Sequence, residues 1–320
     1  MVDRLIGGII MGRNGCLQLL VLLSLSLVAS GQIVDTSACD VLANPRAFDG
    51  KLIRISATAV AGFDEFLVQG SGCGSDGAIW LAYPAGTKAK AGPAALLRLQ
   101  LAKNAAAAPD ASERLPVTLQ RDAQFARFDS LLATPFKSRS MCLGCSRYSV
   151  GATMVGRLDA AASPGLTRDS SGKVTAVSGF GNLNMYRARL VLQSVANVVP
   201  HEIDYAATPM AGDSRRAPSH ASAEQLRRAA AAYGAEGEDN GVIVEFGVPN
   251  EIVPNEFVKG ASDSPDGILF HVTFNMDRVS KNDLSAAMAH QGTHIADVRE
   301  GVPIGGLAAY EDRAWRATFK

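Results

Sequence analysis

The chain has 320 residues, 31 basic and 31 acidic, so its formal net charge is zero. A neutral balance with only 19% charged residues excludes nucleic-acid binding driven by bulk electrostatic attraction. At about 100–200 residues per domain, the length fits two domains, each with a modest core.

The first predicted element is the leucine-rich run from Cys16 to Val28. It is shorter than the about 20 apolar residues that span a bilayer, and it suits the core of a signal peptide. Arg13 precedes it, and Val28-Ala29-Ser30-Gly31 supplies small residues for cleavage. Met11 offers an alternative start, since Met11 to Gly31 alone has the same make-up. Residues 1–31 are therefore expected to be a signal peptide, with the mature chain periplasmic or secreted and without a stable membrane span. The alternative is an uncleaved segment that anchors the protein in the membrane.

Export places Cys39, Cys73, Cys142 and Cys145 in an oxidising compartment, where two disulfides can form. Pairing Cys39 with Cys73 and Cys142 with Cys145 is favoured, because each couple flanks a local unit. Two other readings stay open. Cys142-Leu143-Gly144-Cys145 has the spacing of a redox pair, although the residues from Tyr148 onward read as a strand rather than a helix N-terminus. A four-cysteine zinc site would want a second such pair.

Residues 36–200 read as one domain. Asp40 to Phe48 is a short helical piece, and Lys51 to Val60 a strand with polar and apolar residues alternating. Glu65 to Val68 and Ala78 to Tyr83 follow as strands, and Ser149 to Leu158 and Tyr186 to Val199 supply later, longer ones. Between them, the alanine- and lysine-rich Lys88 to Pro109 has Pro93 placed to open a helix. Arg121 to Thr134 sets Phe125, Phe128, Leu131 and Leu132 at helical spacing, as a stripe that covers one end of a barrel. With aromatics at 6% and no basic groove, an aromatic stacking surface for single strands is not expected. The glycine-rich Gly165 to Gly181 reads as a hairpin loop, since Lys173 lacks the frame of a phosphate loop. The order of a short helix, Asp49-Gly50-Lys51 and a long strand carrying on through Gly62 resembles the opening of an OB-type barrel. That resemblance implies an OB-like module of exported bacterial proteins.

Residues 201–221, rich in Ala, Pro, Ser and Gly, read as a linker flanked by His201 and His220. Ser222 then opens a helix, with Gln225 placed to complete a capping box and Gly234 to end it. Gly241 to Gly247 and Ile268 to Met276 are strands, the second with His271 in its middle.

A helix from about Lys281 to Glu300 carries His290-Gln291-Gly292-Thr293-His294. Four residues apart on a helix, the imidazoles share one face and can share a metal ion. The glycines around Pro303 must break the helix before Leu307 to Phe319 resumes it, which favours an antiparallel hairpin. At 1.5 Å per residue, His294 lies about 10 Å before Gly301 and Glu311 about 7.5 Å after Gly306, so the two come level. Asp297 shares the histidine face and is the alternative third ligand, or a group that orients a histidine.

The segment resembles the H-E-x-x-H signature of zincin metalloproteases, and Glu311 in Glu311-Asp312-Arg313-Ala314-Trp315 resembles the downstream glutamate of gluzincins. The resemblance implies Zn2+ on His290, His294 and Glu311, with Gln291 at the general-base position. Glutamine can hold a water but cannot take its proton, and loss of a general base costs about 10²–10⁴ in rate. Glu300 could replace the base, but it points away along the helix.

The expected fold is thus α+β: an OB-like β-barrel over residues 36–200 and a small zincin-like domain over residues 222–320. The expected function is that of an exported, catalytically inactive metal-binding protein that acts by binding an unidentified protein or peptide partner. An active zinc hydrolase with a non-standard base and a metal-free structural protein are the alternatives.

Overall fold

The computed structural model describes residues 32–73, 77–101, 115–136, 143–205, 222–234, 240–247, 267–302 and 307–318. Residues 1–31, expected to be a signal peptide, residues 206–221 of the expected linker with His220, and Cys142 lie outside the described residues.

The strands are β1 (Val34–Asp35), β2 (Leu52–Ala61), β3 (Phe66–Gln69), β4 (Ala78–Ala82), β5 (Ala95–Leu101), β6 (Tyr148–Ala160), β7 (Gly165–Arg168), β8 (Val174–Ser178), β9 (Ala188–Glu202), β10 (Val242–Phe246) and β11 (Ile268–Phe274). The helices are α1 (Ala38–Ala43), α2 (Ala123–Leu132), α3 (Ala223–Ala231), α4 (Leu284–Arg299) and α5 (Leu307–Thr318).

Five strands close into a barrel. β2 pairs with β3 and β3 with β4, both antiparallel, and β4 runs parallel to β9. β9 then pairs with β6, and β6 returns to β2 to complete the ring, so neither strand is left with a long free edge. Alternation along β2 explains its place: Ile53, Ile55 and Ala59 point into the core, while Arg54 and Ser56 face solvent. α2 covers part of this core with Phe125, Phe128 and Leu132, the stripe read from the sequence. Buried Asp129 fixes the helix by accepting from the Lys90 and Ala91 amides at 2.9 and 2.8 Å and from the Tyr83 hydroxyl.

The second sheet is three-stranded, in the order β10-β11-β5. Here the structure corrects the sequence reading, because part of the stretch expected to be a helix after Pro93 is strand β5. Its Ala95, Leu97, Leu99 and Leu101 register against Phe274, Val272, Phe270 and Ile268 of β11. A matched apolar partner outweighs the helix propensity of an Ala- and Leu-rich run, which amounts to tenths of a kcal/mol per residue. The other side of β5 meets the 3₁₀ turn Asn182–Asn184, whose side-chain oxygens accept from the Leu97 and Leu99 amides at 2.7 and 3.0 Å. The imidazole of His271, in mid-β11, is buried and has no hydrogen-bond partner among the described residues. Burial, together with the charge of Arg98, pushes its imidazole down to about 4. The segment read as a hairpin loop is the two-stranded β7–β8 hairpin.

α3 begins at the capping box foreseen for Ser222 and Gln225. Ile33–Lys320 forms one unit, in which β5 of the first half of the chain shares a sheet with two strands of the second. Cys39 and Cys73 form a disulfide, tying α1 to the segment between β3 and β4. Cys145 is also disulfide-bonded. Among the described residues no helix is long and apolar enough to cross a membrane.

Candidate metal centre

The centre is built on α4. This helix follows β11 after a short turn and packs between α3 and α5. Gly292, between the histidines, has a packing role: a Cβ there would lie 2.4 Å from the Ala229 carbonyl oxygen and 2.9 Å from the Tyr233 ring. The glycine lets α3 press directly on α4 at the level of the site. Tyr233 donates to the Met288 carbonyl at 2.9 Å, and Thr293 to the Ala289 carbonyl at 2.9 Å.

His290 and His294 are fully buried, with their Nε2 atoms 3.1 Å apart. Tyr310 of α5 stacks on the His294 ring at 4.5 Å and donates to the His294 carbonyl at 3.1 Å. Trp315 of α5 and Phe63 pack edge-on against the His290 ring, at 4.5 and 4.9 Å. These rings bring Glu311 over the histidines, 3.3 Å from His290 Nε2 and 3.5 Å from His294 Nε2.

The fourth member is Asp64, which the sequence reading did not include. It sits in the tight turn between β2 and β3, where the Gly62 amide donates to the Glu65 carbonyl at 2.8 Å. The start of β5 holds this turn, as Ala94 and Ala95 donate to the Gly62 and Phe63 carbonyls at 3.0 and 2.8 Å. Half-buried Arg278 donates to the Ala61 and Gly92 carbonyls and to Ser146 Oγ, clamping the same region. Asp64 Oδ2 lies 2.9 Å from His290 Nε2, and Oδ1 accepts from the Gln291 side-chain amide at 2.6 Å. The only sign of this in the sequence was an adjacent acid pair, Asp64-Glu65, inside an otherwise apolar hairpin.

Asp64, His290, His294 and Glu311 each offer one ligand atom, and these atoms all lie within 4.8 Å of one another. A tetrahedral ion with bonds of about 2.0–2.1 Å needs its ligand atoms about 3.3 Å apart, close to the 2.9 Å from Asp64 to His290, the 3.1 Å between the histidines and the 3.3 and 3.5 Å from Glu311 to them. Two imidazoles exclude the all-oxygen shells that calcium and magnesium prefer. With neutral imidazoles and two carboxylates the cluster carries two negative charges, which a divalent cation brings to zero. The cluster can therefore hold a metal ion.

Burial raises the Asp64 carboxyl above its ordinary value, against the pull of His290. Burial alone would lower His290, but Asp64 and then Glu311 carry it up to about 9. Glu311 would also be raised by burial, yet His294 and His290 hold it below the usual carboxylate range. Glu65 is pushed up to about 7 by burial and by the charges of Glu311 and Asp64.

Asp297, the alternative third ligand, is not in the cluster. Its carboxylate is taken by Arg228 of α3 at 2.6 Å and Arg313 of α5 at 3.0 Å, so it ties three helices together. Glu300 is likewise paired with Arg228, at 2.7 Å. Arginines from the neighbouring helices engage both carboxylates, a pairing that α4 alone does not reveal.

No family model matches the chain, and neither a curated protein nor a solved structure is significantly similar to it.

Proposed function

We propose that this is an exported zinc-binding protein whose ion is held by Asp64, His290, His294 and Glu311, and that it acts through binding rather than hydrolysis. The observation that carries the reading is the convergence of four buried ligand groups from three separate segments. Four protein ligands make a closed shell, the mark of structural zinc, whereas catalytic sites keep one position for water. Gln291 cannot serve as a base, and its amide is already engaged with Asp64.

A zincin-like origin is supported by a strand leading into the histidine helix and by a glutamate from the next helix. An OB-like first half is supported by a closed ring in which the third strand runs parallel to the fifth. The Cys39–Cys73 disulfide supports an oxidising compartment, hence export. The partner in this reading is a protein or peptide.

An active hydrolase has one observation in its favour. Half-buried Glu65 adjoins Asp64 and feels the charge of Glu311, so it offers a carboxylate near the centre in place of Gln291.

Elemental analysis of the purified mature chain and of His294→Ala tests the proposal. One zinc per wild-type chain, lost in the variant, and no peptidase turnover are expected. Absence of stoichiometric metal after reconstitution overturns the metal centre, and turnover that disappears in Glu65→Gln establishes the hydrolase instead.

A further inference from the structure

The role of Gln291 remains to be explained. The residue is fully buried, yet its Oε1 has no hydrogen-bond partner among the described residues. Its Nε2 makes one contact, 2.6 Å to Asp64 Oδ1, while the other oxygen of Asp64 faces His290 Nε2 at 2.9 Å. The amide must be oriented this way, since the opposite orientation would set its oxygen against a carboxylate oxygen at the same distance.

From this geometry we infer that Gln291 is a positioning residue that fixes Asp64 as the fourth metal ligand, and that glutamine rather than glutamate is what a carboxylate fourth ligand requires. The inference rests on the metal-centre reading above. Asp64 reaches the cluster from a turn 226 residues away in sequence, and its carboxylate has two oxygens to place. A donor on Oδ1 leaves Oδ2 aimed at the ion and stops the group from rotating or binding through both oxygens. A hydrogen bond of this kind to a ligating carboxylate is worth on the order of 10–100-fold in metal affinity. A glutamate at this position would bring a second carboxylate to hydrogen-bonding distance of Asp64, where two buried negative charges repel. The departure from a protease-like motif and the presence of Asp64 are two halves of one arrangement. Asp64 takes the coordination position that a hydrolytic water would need, and Gln291 holds it there.

The test uses the full mature chain. Zinc affinity is measured by competition with a chromophoric chelator, and ligand geometry by the visible spectrum of the cobalt-substituted protein. The proteins are wild type, Gln291→Met, Gln291→Glu, Asp64→Ala, the Asp64→Ala/Gln291→Met double variant, and His294→Ala as the control for the centre itself. Gln291→Met is expected to weaken zinc by about 10–100-fold and to change the cobalt bands, and Gln291→Glu to weaken it further. In the Asp64→Ala background, Gln291→Met should add no further loss, because the amide acts through that carboxylate. Wild-type affinity and spectrum in Gln291→Met, or the same loss with and without Asp64, overturns the inference while the metal centre stands. Failure of the wild type to bind zinc any better than His294→Ala overturns both. Should the Gln291 variants not fold, side-chain amide resonances of the wild type decide. Gln291 protons that shift on zinc loading and resist exchange support the role, and protons that exchange freely in the loaded protein refute it.

Discussion

Replacing Gly292 with alanine sets two effects of known size against each other. Alanine favours the middle of a helix over glycine by about 1 kcal/mol, so on propensity alone Gly292→Ala should stabilise α4. The new Cβ, however, would lie 2.4 Å from the Ala229 carbonyl oxygen and 2.9 Å from the Tyr233 ring. The ring can turn, but the carbonyl belongs to the hydrogen-bonded backbone of α3. Restoring ordinary contact requires α3 to retreat from α4 by about 1 Å. Overpacking of this kind costs about 1–3 kcal/mol, and a backbone neighbour puts it at the upper end, leaving a net loss of about 2 kcal/mol. For a chain of 320 residues, with an unfolding entropy of about 2.1 cal/mol/K per residue, that is a fall in Tm of about 3 °C. The retreat also strains the Arg228 bridge to Asp297, which spans the two helices at 2.6 Å. Thermal and urea denaturation of the variant beside the wild type measure the balance. A variant as stable as the wild type, or more so, would falsify the account of close helix contact at Gly292.

Three further outcomes follow from the same structure. Asp297→Asn should leave metal stoichiometry intact and lower stability by about 2 kcal/mol, since a buried carboxylate is lost from two half-exposed arginines; loss of the metal would restore Asp297 as a ligand. His271 titrates near 4 when folded and near 6.5 when unfolded, so the unfolded chain binds more protons between those values. Stability should therefore fall as pH drops from about 6.5 to 4, by about 3 kcal/mol, and urea titrations at both ends should show His271→Leu free of that component. Reducing Cys39–Cys73, which closes 34 residues, should cost about 3–4 kcal/mol, and calorimetry of Cys39→Ser/Cys73→Ser that shows no loss would count against it.

What could be read from the chain was whatever depends on near neighbours. The alternation in β2, the capping box at Ser222 and the four-residue spacing of His290 and His294 are local, and each reappears in place. Glu311 was within reach because a short break between helices constrains the return path, so counting residues along two helices was enough. Asp64 was not legible, since nothing in its own turn announces that the turn meets α4. Asp297 looked like a ligand because helical position fixes which face a side chain shares but not which cations another helix brings to it. β5 was read as helix because Ala and Leu serve both structures, and only the β11 register separates them. Gln291 was the subtlest case. In one dimension it is a base replaced by a poor substitute, and in three it is a donor facing an acceptor from the other end of the chain.

The side-chain cover on β5 has a consequence for how copies of this protein meet. Strand edges with bare amides invite a second chain to add a strand, the usual opening to fibrils and exchanged dimers. On β5 the Leu97 and Leu99 amides are already spent on Asn182 and Asn184, held in a turn where Leu183 and Asn184 adopt positive φ. That turn cannot propagate as a strand, so it ends the ladder instead of extending it. An incoming strand from a second copy would have to displace both asparagines first, which keeps this edge quiet.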